Sequence, residues 1–264
     1  MSSEGRKVIA ITGASAGIGR ATALRLARDG WAVVMSARRW DRLAEVATDV
    51  GRAGGEALPV ISDVTIPENM DNVVARAVER FGRLDVMMCN AGFGIYGHID
   101  QITPAQMERL FRVNYLGTYH AARSALPTFR QQKHGHLIVV SSIVGKRGVP
   151  FMGAYAATKF AQVGMAECLR AELSGTGIDV TVVYPISTDT EFFGVMTRES
   201  GHATRAGGPR QTADQVAEAI VAAIKKPVPE VYPFRKARLL GVLNAIAPGL
   251  CDRLVQRWRR DPVA

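Results

Sequence analysis

Two side chains capable of acid–base chemistry lie four residues apart in AYAATKFAQVGMAECLRAEL, a stretch with the pattern of a helix. Tyr155 and Lys159 would therefore project from one helix face. A free phenol has a pKa of about 10, and a neighbouring ammonium lowers that pKa because it favours the phenolate. The pair is suited to donating and accepting a proton, although a tyrosine and a lysine at this spacing also form ordinary surface pairs.

A second stretch, TGASAGIGR, has glycines at positions 13, 17 and 19. The apolar run KVIAIT precedes it and the helical pattern RATALRLARDG follows it. A strand, a tight turn and a helix N-terminus can cradle a phosphate, because glycine allows close approach and the first helical N–H groups attract anions. The spacing differs from G-x-G-x-x-G, so a glycine turn without a ligand is the alternative.

The elements around these two stretches alternate between short apolar runs and longer amphipathic segments. Near-continuous apolar runs are typical of strands that helices bury on both faces. The runs are KVIAIT, WAVVMSA, EALPVIS, LDVMMCNA, HLIVVSS and IDVTVVYP, with EVYPF as a seventh. The pattern predicts an α/β fold, a Rossmann-type doubly wound parallel sheet of about seven strands, as a single domain over residues 1–264.

Composition narrows the classes of protein. The chain has 264 residues, of which 47% are hydrophobic, enough for a buried core. The cysteines Cys89, Cys168 and Cys251 are too far apart to indicate a disulfide framework or zinc site, which favours a reducing cytosol. The amino terminus lacks the apolar region of a signal peptide, and no apolar run reaches the ~20 residues of a membrane span, so we expect a cytoplasmic protein. No metal site is expected, because the five histidines show no metal-like cluster in the sequence. They are His98, His120, His134, His136 and His202.

The net charge of +9 is concentrated near the carboxyl end, where seven Lys or Arg against one Asp lie between Arg235 and Arg260. Residues 235–264 form a basic amphipathic extension. It can pack on its own domain, pack on another subunit, or contact an anionic membrane surface. No motif supports nucleic-acid binding. Residues 190–212 have a loop-like composition and are expected to close over a substrate.

Several motifs together resemble the short-chain dehydrogenase/reductase (SDR) family. TGASAGIG is similar to the family's T-G-x-x-x-G-x-G signature. NAG follows the fourth apolar run, RVNYLG contains an asparagine, SS ends the fifth run, and YAATK supplies Tyr-x-x-x-Lys. The order matches the family across roughly residues 6 to 190. The resemblance implies an oxidoreductase that interconverts a ketone and a secondary alcohol, assembled as a homodimer or homotetramer.

The same resemblance assigns a catalytic role to Asn114, Ser142, Tyr155 and Lys159. Tyr155 is the acid in reduction and the base in oxidation. Ser142 orients and polarises the substrate oxygen, and its neighbour Ser141 is expected to point elsewhere. Asn114 holds a water that links Lys159 to a proton relay. Lys159 also holds the nicotinamide ribose.

The choice of cofactor depends on the end of the second apolar run. Ala37 occupies the position where NAD-dependent relatives carry a carboxylate, and Arg38 and Arg39 follow it. Because arginine pairs with a 2′-phosphate, NADP(H) is favoured over NAD(H), unless both arginines simply project into solvent. Ala16 stands where many NADP-preferring relatives have a basic residue. The expected cofactor-binding residues are Gly13, Ser15, Gly17, Ile18, Gly19, Arg38, Arg39, Asp63, Val64, Asn90, Ala91, Gly92, Tyr155, Lys159, Pro185, Thr188 and Thr190.

Two further features concern the substrate. Ile186 replaces the glycine that follows Pro185 in the family, and its side chain would narrow the site near the nicotinamide. The apolar stretches FGIYGHI and EFFGVM suggest a hydrophobic substrate such as a lipid or steroid-like ketone, unless these residues belong to the core. An alternative function is an NAD(P)-binding regulator or scaffold with little turnover, against which the intact catalytic set argues.

Overall fold

A parallel sheet forms the centre of the computed structural model, which describes residues 5–204 and 208–257. The strands are β1 (Val8–Thr12), β2 (Ala32–Ala37), β3 (Glu56–Ile61), β4 (Val86–Cys89), β5 (Gly135–Val140), β6 (Ile178–Val183), β7 (Ser187–Asp189), β8 (Arg210–Thr212) and β9 (Glu230–Val231). Seven of them form one sheet in the order β3-β2-β1-β4-β5-β6-β9, and the two short strands β7 and β8 pair separately. The predicted doubly wound sheet is confirmed.

Helices connect the strands. They are α1 (Gly17–Arg28), α2 (Trp40–Arg52), α3 (Pro67–Phe81), α4 (Pro104–Leu110), α5 (Gly117–Gln132), α6 (Gly153–Glu172), α7 (Phe192–Ser200), α8 (Ala213–Lys225), α9 (Ala237–Ile246) and α10 (Pro248–Gln256). A π-helical stretch, Phe111–Leu116, joins α4 to α5, and a short 3-10 turn, Ile143–Gly145, follows β5.

The core consists of two apolar layers, one on each face of the sheet. Successive residues of β1 alternate between them, as strand geometry requires. Val8 and Ala10 pack with residues of α3, α5 and α6. Ile9 and Ile11 pack with residues of α1, α2 and α8. All five residues of β1 are buried, which explains its uninterrupted apolar sequence.

Local sequence sets several element boundaries. Helix α3 ends at Gly82, whose φ of +75° is the left-handed conformation that glycine adopts readily. Helix α8 begins with a capping box, in which Thr212 and Gln215 exchange side-chain and backbone hydrogen bonds. Pro59 lies in β3, an edge strand, where its missing N–H removes no hydrogen bond from the interior of the sheet.

The segment that was expected to be a loop, residues 190–212, is largely ordered as secondary structure. It contains α7 and β8, and the apolar side chain of Met196 is buried on α7. The loop prediction is therefore wrong for these elements, because tertiary burial stabilises a helix in a sequence of weak pattern. Residues 205–207 lie outside the described residues.

The carboxyl-terminal extension contains α9 and α10, and Pro248 starts the second helix. Residues 258–264 of the predicted extension lie outside the described part of the chain. In residues 5–204 and 208–257, no helix combines the length and the apolar character that crossing a bilayer requires.

Candidate active site

The glycine-rich turn lies between β1 and α1, at the carboxyl edge of the sheet. Gly13 has a φ of +66°, and a Cβ there would lie 2.9 Å from the Cα of Ala91. A Cβ on Gly19 would lie 2.6 Å from the Gly13 carbonyl oxygen. These two positions therefore require glycine, because the turn and the end of β4 are in close backbone contact. These contacts fix the conformation of the turn within the cleft.

The start of α1 is suited to an anion. Its N-cap is Ala16, which has no side chain to cap the first N–H groups, and its first turn has no acidic residue. The uncapped amides and the helix dipole together favour a phosphate group. Gly17 and Ile18 line the cleft at this point, as does Ser15. This donor set and the close glycine packing fit the pyrophosphate of a dinucleotide.

Asn90, directly after β4, ties this turn to the sheet. Its Nδ2 donates to the Thr12 carbonyl at 2.9 Å and to the Gly13 carbonyl at 3.2 Å. The Thr12 hydroxyl in turn accepts from the backbone N–H groups of Asn90 and Ala91. The asparagine thus fixes the cleft wall by bonds to main-chain atoms.

Three of the predicted catalytic residues meet in the same cleft. Ser142 follows β5, its hydroxyl donates to the Pro185 carbonyl at 3.4 Å, and it also hydrogen-bonds Tyr155. Tyr155 and Lys159 lie on α6, with the Lys159 Nζ 5.6 Å from the tyrosine ring centroid. Ser141 is buried, and its hydroxyl donates to the Lys159 carbonyl at 3.1 Å rather than to Tyr155.

Burial changes the protonation of this pair. Burial raises the pKa of the Tyr155 phenol above its ordinary value of 10, and the Ser142 hydrogen bond only partly opposes this. Burial also lowers the pKa of Lys159 to about 7. Burial therefore acts on the Tyr155 pKa in the opposite direction to the lowering expected from Lys159, and that lowering stays a prediction.

Asn114 lies in the π-helical stretch and is fully buried. Its Oδ1 accepts from the Phe93 N–H at 3.0 Å, and its Nδ2 donates to the Phe93 carbonyl and to Thr158 Oγ1. Its main-chain carbonyl accepts from the Gln162 side chain at 2.7 Å and from the Thr118 hydroxyl at 2.8 Å. The asparagine side chain therefore anchors the segment after β4 to the floor of the cleft.

At the far end of the cleft, Arg38 and Arg39 follow β2 and are exposed. Arg39 pairs with Glu191 at 2.9 Å and donates to the Ser15 hydroxyl at 3.3 Å, so it already has partners across the cleft mouth. Ala37 ends β2 beside them. Glu191 would therefore compete with a cofactor phosphate for the Arg39 guanidinium.

Asp63 and Val64 line the cleft after β3. The Asp63 carboxylate accepts from the Thr65 N–H at 2.9 Å and from the Thr65 hydroxyl at 2.8 Å, which orders the turn that carries it. The Val64 carbonyl contacts the His120 ring at 2.9 Å. Both residues line the same cleft as the glycine-rich turn.

The segment after β6 forms the opposite wall. Thr190 packs against Gly17 across the cleft. The two residues are so close that a Cβ on the glycine would lie 3.1 Å from the threonine Cγ2. Thr188 is buried, donates to the Ile186 carbonyl at 2.8 Å and accepts from Gln211 at 3.1 Å. Strand β8 thus supports β7 through a side-chain bond. Pro185 and Ile186 also line the cleft.

The cleft has a volume of about 810 Å³, and its outer part is apolar. Phe192 of α7 lies 5.5 Å from the Tyr155 ring, centroid to centroid. The stretches FGIYGHI and EFFGVM both contribute cleft residues. The apolar lining includes Phe93, Tyr96, Phe192, Phe193, Val195 and Met196.

Sequence reasoning missed one wall of the cleft. Leu239, Leu240 and Leu243 of α9 line it, as does Arg147. Arg147 bonds Asn244 Oδ1 at 2.8 Å and also Asp252, which holds α9 and α10 against the domain. The extension packs on its own domain, one of the predicted alternatives. The helical spacing of these leucines was the available signal, but spacing alone does not identify which surface they cover.

Comparison with known proteins identifies the family. Residues 7–200 match the short chain dehydrogenase family model. A 3-ketoacyl-ACP reductase from Sinorhizobium meliloti is 34% identical, with a TM-score of 0.76, and the match covers 85% of this chain and 96% of the other. An alcohol dehydrogenase from Thermococcus sibiricus, complexed with 5-hydroxy-NADP, is 30% identical with a TM-score of 0.76, covering 86% and 95%.

A short chain dehydrogenase/reductase from Burkholderia phymatum, in complex with NAD, has the same fold with a TM-score of 0.82 and 24% identity over 95% of this chain and 96% of the other. The protein belongs to the SDR family of oxidoreductases, which use a nicotinamide cofactor. The cofactor preference of this chain depends on its own residues.

Proposed function

We propose that the protein is an NADP(H)-dependent oxidoreductase that interconverts a ketone and a secondary alcohol on a hydrophobic small molecule. One observation carries the proposal: Ser142, Tyr155 and Lys159 share a single cleft with the glycine-rich turn. Bound nicotinamide would exchange hydride with the substrate carbon. The other proposed roles, which are cofactor binding, substrate orientation and proton transfer, belong to residues of this chain.

Tyr155 is proposed as the proton donor in reduction and the acceptor in oxidation. Because burial holds the pKa of its phenol above 10, the hydroxyl is protonated at neutral pH, which is the form that a proton donor requires. The Ser142 hydroxyl, bonded to Tyr155, would orient the same oxygen. Lys159 would hold the ribose and bias the phenol electrostatically.

The cofactor preference is proposed from the end of β2. Ala37 offers no carboxylate to repel a 2′-phosphate, and Arg38 lines the cleft with its guanidinium exposed. Arg38 is the better candidate for the phosphate, since Arg39 already pairs with Glu191. The remaining proposed cofactor contacts are the cradle glycines, Asp63, the Asn90–Gly92 segment, and the wall from Pro185 to Thr190.

A ketone-reduction assay tests the proton-transfer role. NADPH consumption is measured over a panel of apolar ketones with the wild type and Tyr155→Phe, and Tyr115→Phe is the matched control outside the cleft lining. General acid–base catalysis contributes about 10²–10⁴-fold, so Tyr155→Phe should lose at least a hundredfold in kcat. Equal turnover in wild type and Tyr155→Phe would exclude the proposed mechanism, and NADPH binding without any turnover would favour the scaffold alternative.

A binding experiment tests the cofactor choice. A charge-assisted hydrogen bond contributes about 1.5–3 kcal/mol, which corresponds to roughly tenfold or more in affinity. Arg38→Ala should therefore weaken NADPH binding by about that factor and leave NADH binding unchanged. Arg42→Ala, which removes an arginine paired with Glu45 on α2, is the control. Tighter NADH than NADPH binding in the wild type would contradict the proposal.

A subunit interface and a membrane contact are separate parts of the proposal. Family members typically assemble, and we propose a homodimer or homotetramer, with the exposed side chains of Leu116, Tyr119 and Phe160 as part of the interface. Light scattering of Tyr119→Glu should then report a smaller particle than the wild type. An unchanged mass would exclude this face.

We propose a cytoplasmic location for the protein. The exposed face of α9 and α10 is proposed to contact an anionic bilayer surface there. Val242 and Ile246 share one face of α9 and are 48% and 78% exposed. The same segment is rich in basic side chains, and its acidic residue Asp252 is paired with Arg147. The described cations of this segment are Arg235, Lys236, Arg238, Arg253 and Arg257. Apolar area together with positive charge is the combination that binds anionic lipid.

Vesicle sedimentation tests this contact. The wild type should sediment with vesicles of phosphatidylglycerol and phosphatidylcholine more than with phosphatidylcholine alone, and high salt should reduce the difference. Ile246→Asp should lose this binding, whereas Ile61→Asp, at an exposed isoleucine of β3, should retain it. Equal sedimentation of both variants would exclude the membrane and favour a protein partner for this face.

A further inference from the structure

Gln162 is fully buried on α6, three residues after Lys159. Its Oε1 accepts from the Lys159 Nζ at 3.0 Å. Its Nε2 donates to the Asn114 carbonyl at 2.7 Å and to the Thr118 hydroxyl at 2.7 Å. A buried amide is costly unless both ends are hydrogen-bonded, and here both ends have partners. The side chain thus joins Lys159 to the main chain of Asn114.

The bonds of Lys159 restrict where its ammonium points. An ammonium has three N–H donors. One is directed to the Val140 carbonyl at 3.0 Å and another to Gln162. The third is left for the cleft, where Tyr155 lies on the preceding turn of the same helix. Gln162 and Val140 therefore orient the ammonium toward the phenol.

The carbonyl of Asn114 has two side-chain donors. Gln162 and the Thr118 hydroxyl both donate to it, at 2.7 and 2.8 Å. A carbonyl oxygen has two lone pairs, so these donors use the positions to which a water would otherwise bond. A water bonded to this carbonyl would therefore have to compete with both side chains for the same lone pairs.

We propose that Gln162 is a positioning residue that takes the place of this water, tying the Lys159 ammonium to the Asn114 main chain and aiming it at Tyr155. The inference rests on the proposed roles of Tyr155 and Lys159. Gln162 itself does not touch the reacting atoms. Its side-chain oxygen would stabilise the charged form of Lys159, and so set the pH range over which the ammonium is present.

The surroundings of Lys159 make this effect measurable. Strand β5 presents the Val140 carbonyl, the π-helical stretch presents Asn114, and α5 presents the Thr118 hydroxyl, all of them uncharged. Tyr155 is the titratable group that faces it from α6. Because burial brings the pKa of Lys159 to about 7, the loss or gain of one acceptor shifts its charge within the physiological range.

Lysine NMR tests the bridge without requiring turnover. The chain has only seven lysines, so 13C-labelled lysine side chains give few signals, and Lys159→Arg identifies the one to follow. Gln162→Leu removes the acceptor and should move the Lys159 titration midpoint to lower pH. Gln162→Glu adds a carboxylate beside the ammonium and should move it to higher pH, by about one pH unit or more. Gln131→Leu, at an exposed glutamine, should leave it unchanged.

The pH profile of ketone reduction supplies a second readout. Its alkaline limb should shift in the same two opposite directions, whereas a purely structural residue would lower activity at every pH. Gln162→Glu preserves the shape of the side chain, so it carries the test if Gln162→Leu does not fold. A Lys159 midpoint that stays fixed in the folded variants overturns the bridge, even where Tyr155→Phe is inactive. If the wild type is inactive but the two Gln162 variants still shift the Lys159 midpoint in opposite directions, the proposed function is excluded and the bridge is supported.

Discussion

The glycine-rich turn and the α9–α10 extension both line the cleft, but they are built differently. The turn is held by backbone contacts so close that Gly19 has no room for a Cβ. The extension is held by side chains, mainly through Arg147, and leaves Leu239 and Ile246 largely exposed. Backbone contacts depend on particular residue types at particular positions. Side-chain packing tolerates many sequences, so the wall formed by α9 can vary where the turn cannot.

The largest expected effect on cofactor binding concerns the turn. Gly19→Ala would place a Cβ 2.6 Å from the Gly13 carbonyl, and backbone atoms cannot move aside as a flexible side chain would. We expect a loss of about 1–3 kcal/mol in the free energy of unfolding and much weaker NADPH binding. Thermal unfolding and fluorescence titration measure the two quantities.

Gly164→Ala is the control for this change. This glycine lies in α6 with nothing within 4 Å of the added Cβ, so alanine should leave NADPH binding unchanged and stabilise the helix by about 0.5–1 kcal/mol. If both variants bound NADPH like the wild type, the glycine turn would have to be flexible, and the contrast with the extension would disappear.

The next effect concerns the buried lysine near the turn. Its pKa is about 7 in the folded protein and 10.5 ordinarily, so between these values the unfolded chain binds more protons. The contribution of Lys159 to the free energy of unfolding should therefore increase as pH rises from about 7 toward 10. Relative to Lys159→Met, the free energy of unfolding of the wild type should increase by on the order of a few kcal/mol over this pH range. Urea unfolding at several pH values measures it. A difference that stayed constant over this range would show that the lysine remains charged when folded.

The smallest effect is expected in the extension. Asp252→Ala removes the carboxylate that bonds Arg147, and because Asp252 is 55% exposed, the loss of stability should stay below about 1 kcal/mol. The wall formed by α9 should loosen, so KM for apolar ketones should rise with little change in kcat. Asp179→Ala, at an exposed position of β6, is the control. A large fall in kcat would mean that the extension supports the catalytic residues directly.

Sequence reasoning succeeded where a residue type has one structural use. The continuous apolar runs predicted the strands, because only a two-sided core buries every residue of β1 or β5. The glycine turn and the Tyr155–Lys159 pair were found from spacing. The loop expected at residues 190–212 was wrong at α7, since the burial of Met196 against distant residues has no signature in the local pattern.

The catalytic roles remain predictions, but the distribution of bonds around them could not be read from the sequence at all. Nothing in the pattern around Gln162 distinguishes it from other polar residues on a long helix. Its importance comes from the π-helical stretch, which brings the Asn114 carbonyl within 2.7 Å of its amide.

By itself, the sequence determined the sheet, the glycine turn and the family, because periodicity and residue type act locally. Only the tertiary structure decided which groups are desolvated together. Burial raises the pKa of Tyr155, and the Gln162 side-chain amide bonds the Asn114 carbonyl. Both results arise from contacts between residues far apart in the chain, where desolvation and hydrogen bonding are set by neighbours that no local pattern specifies.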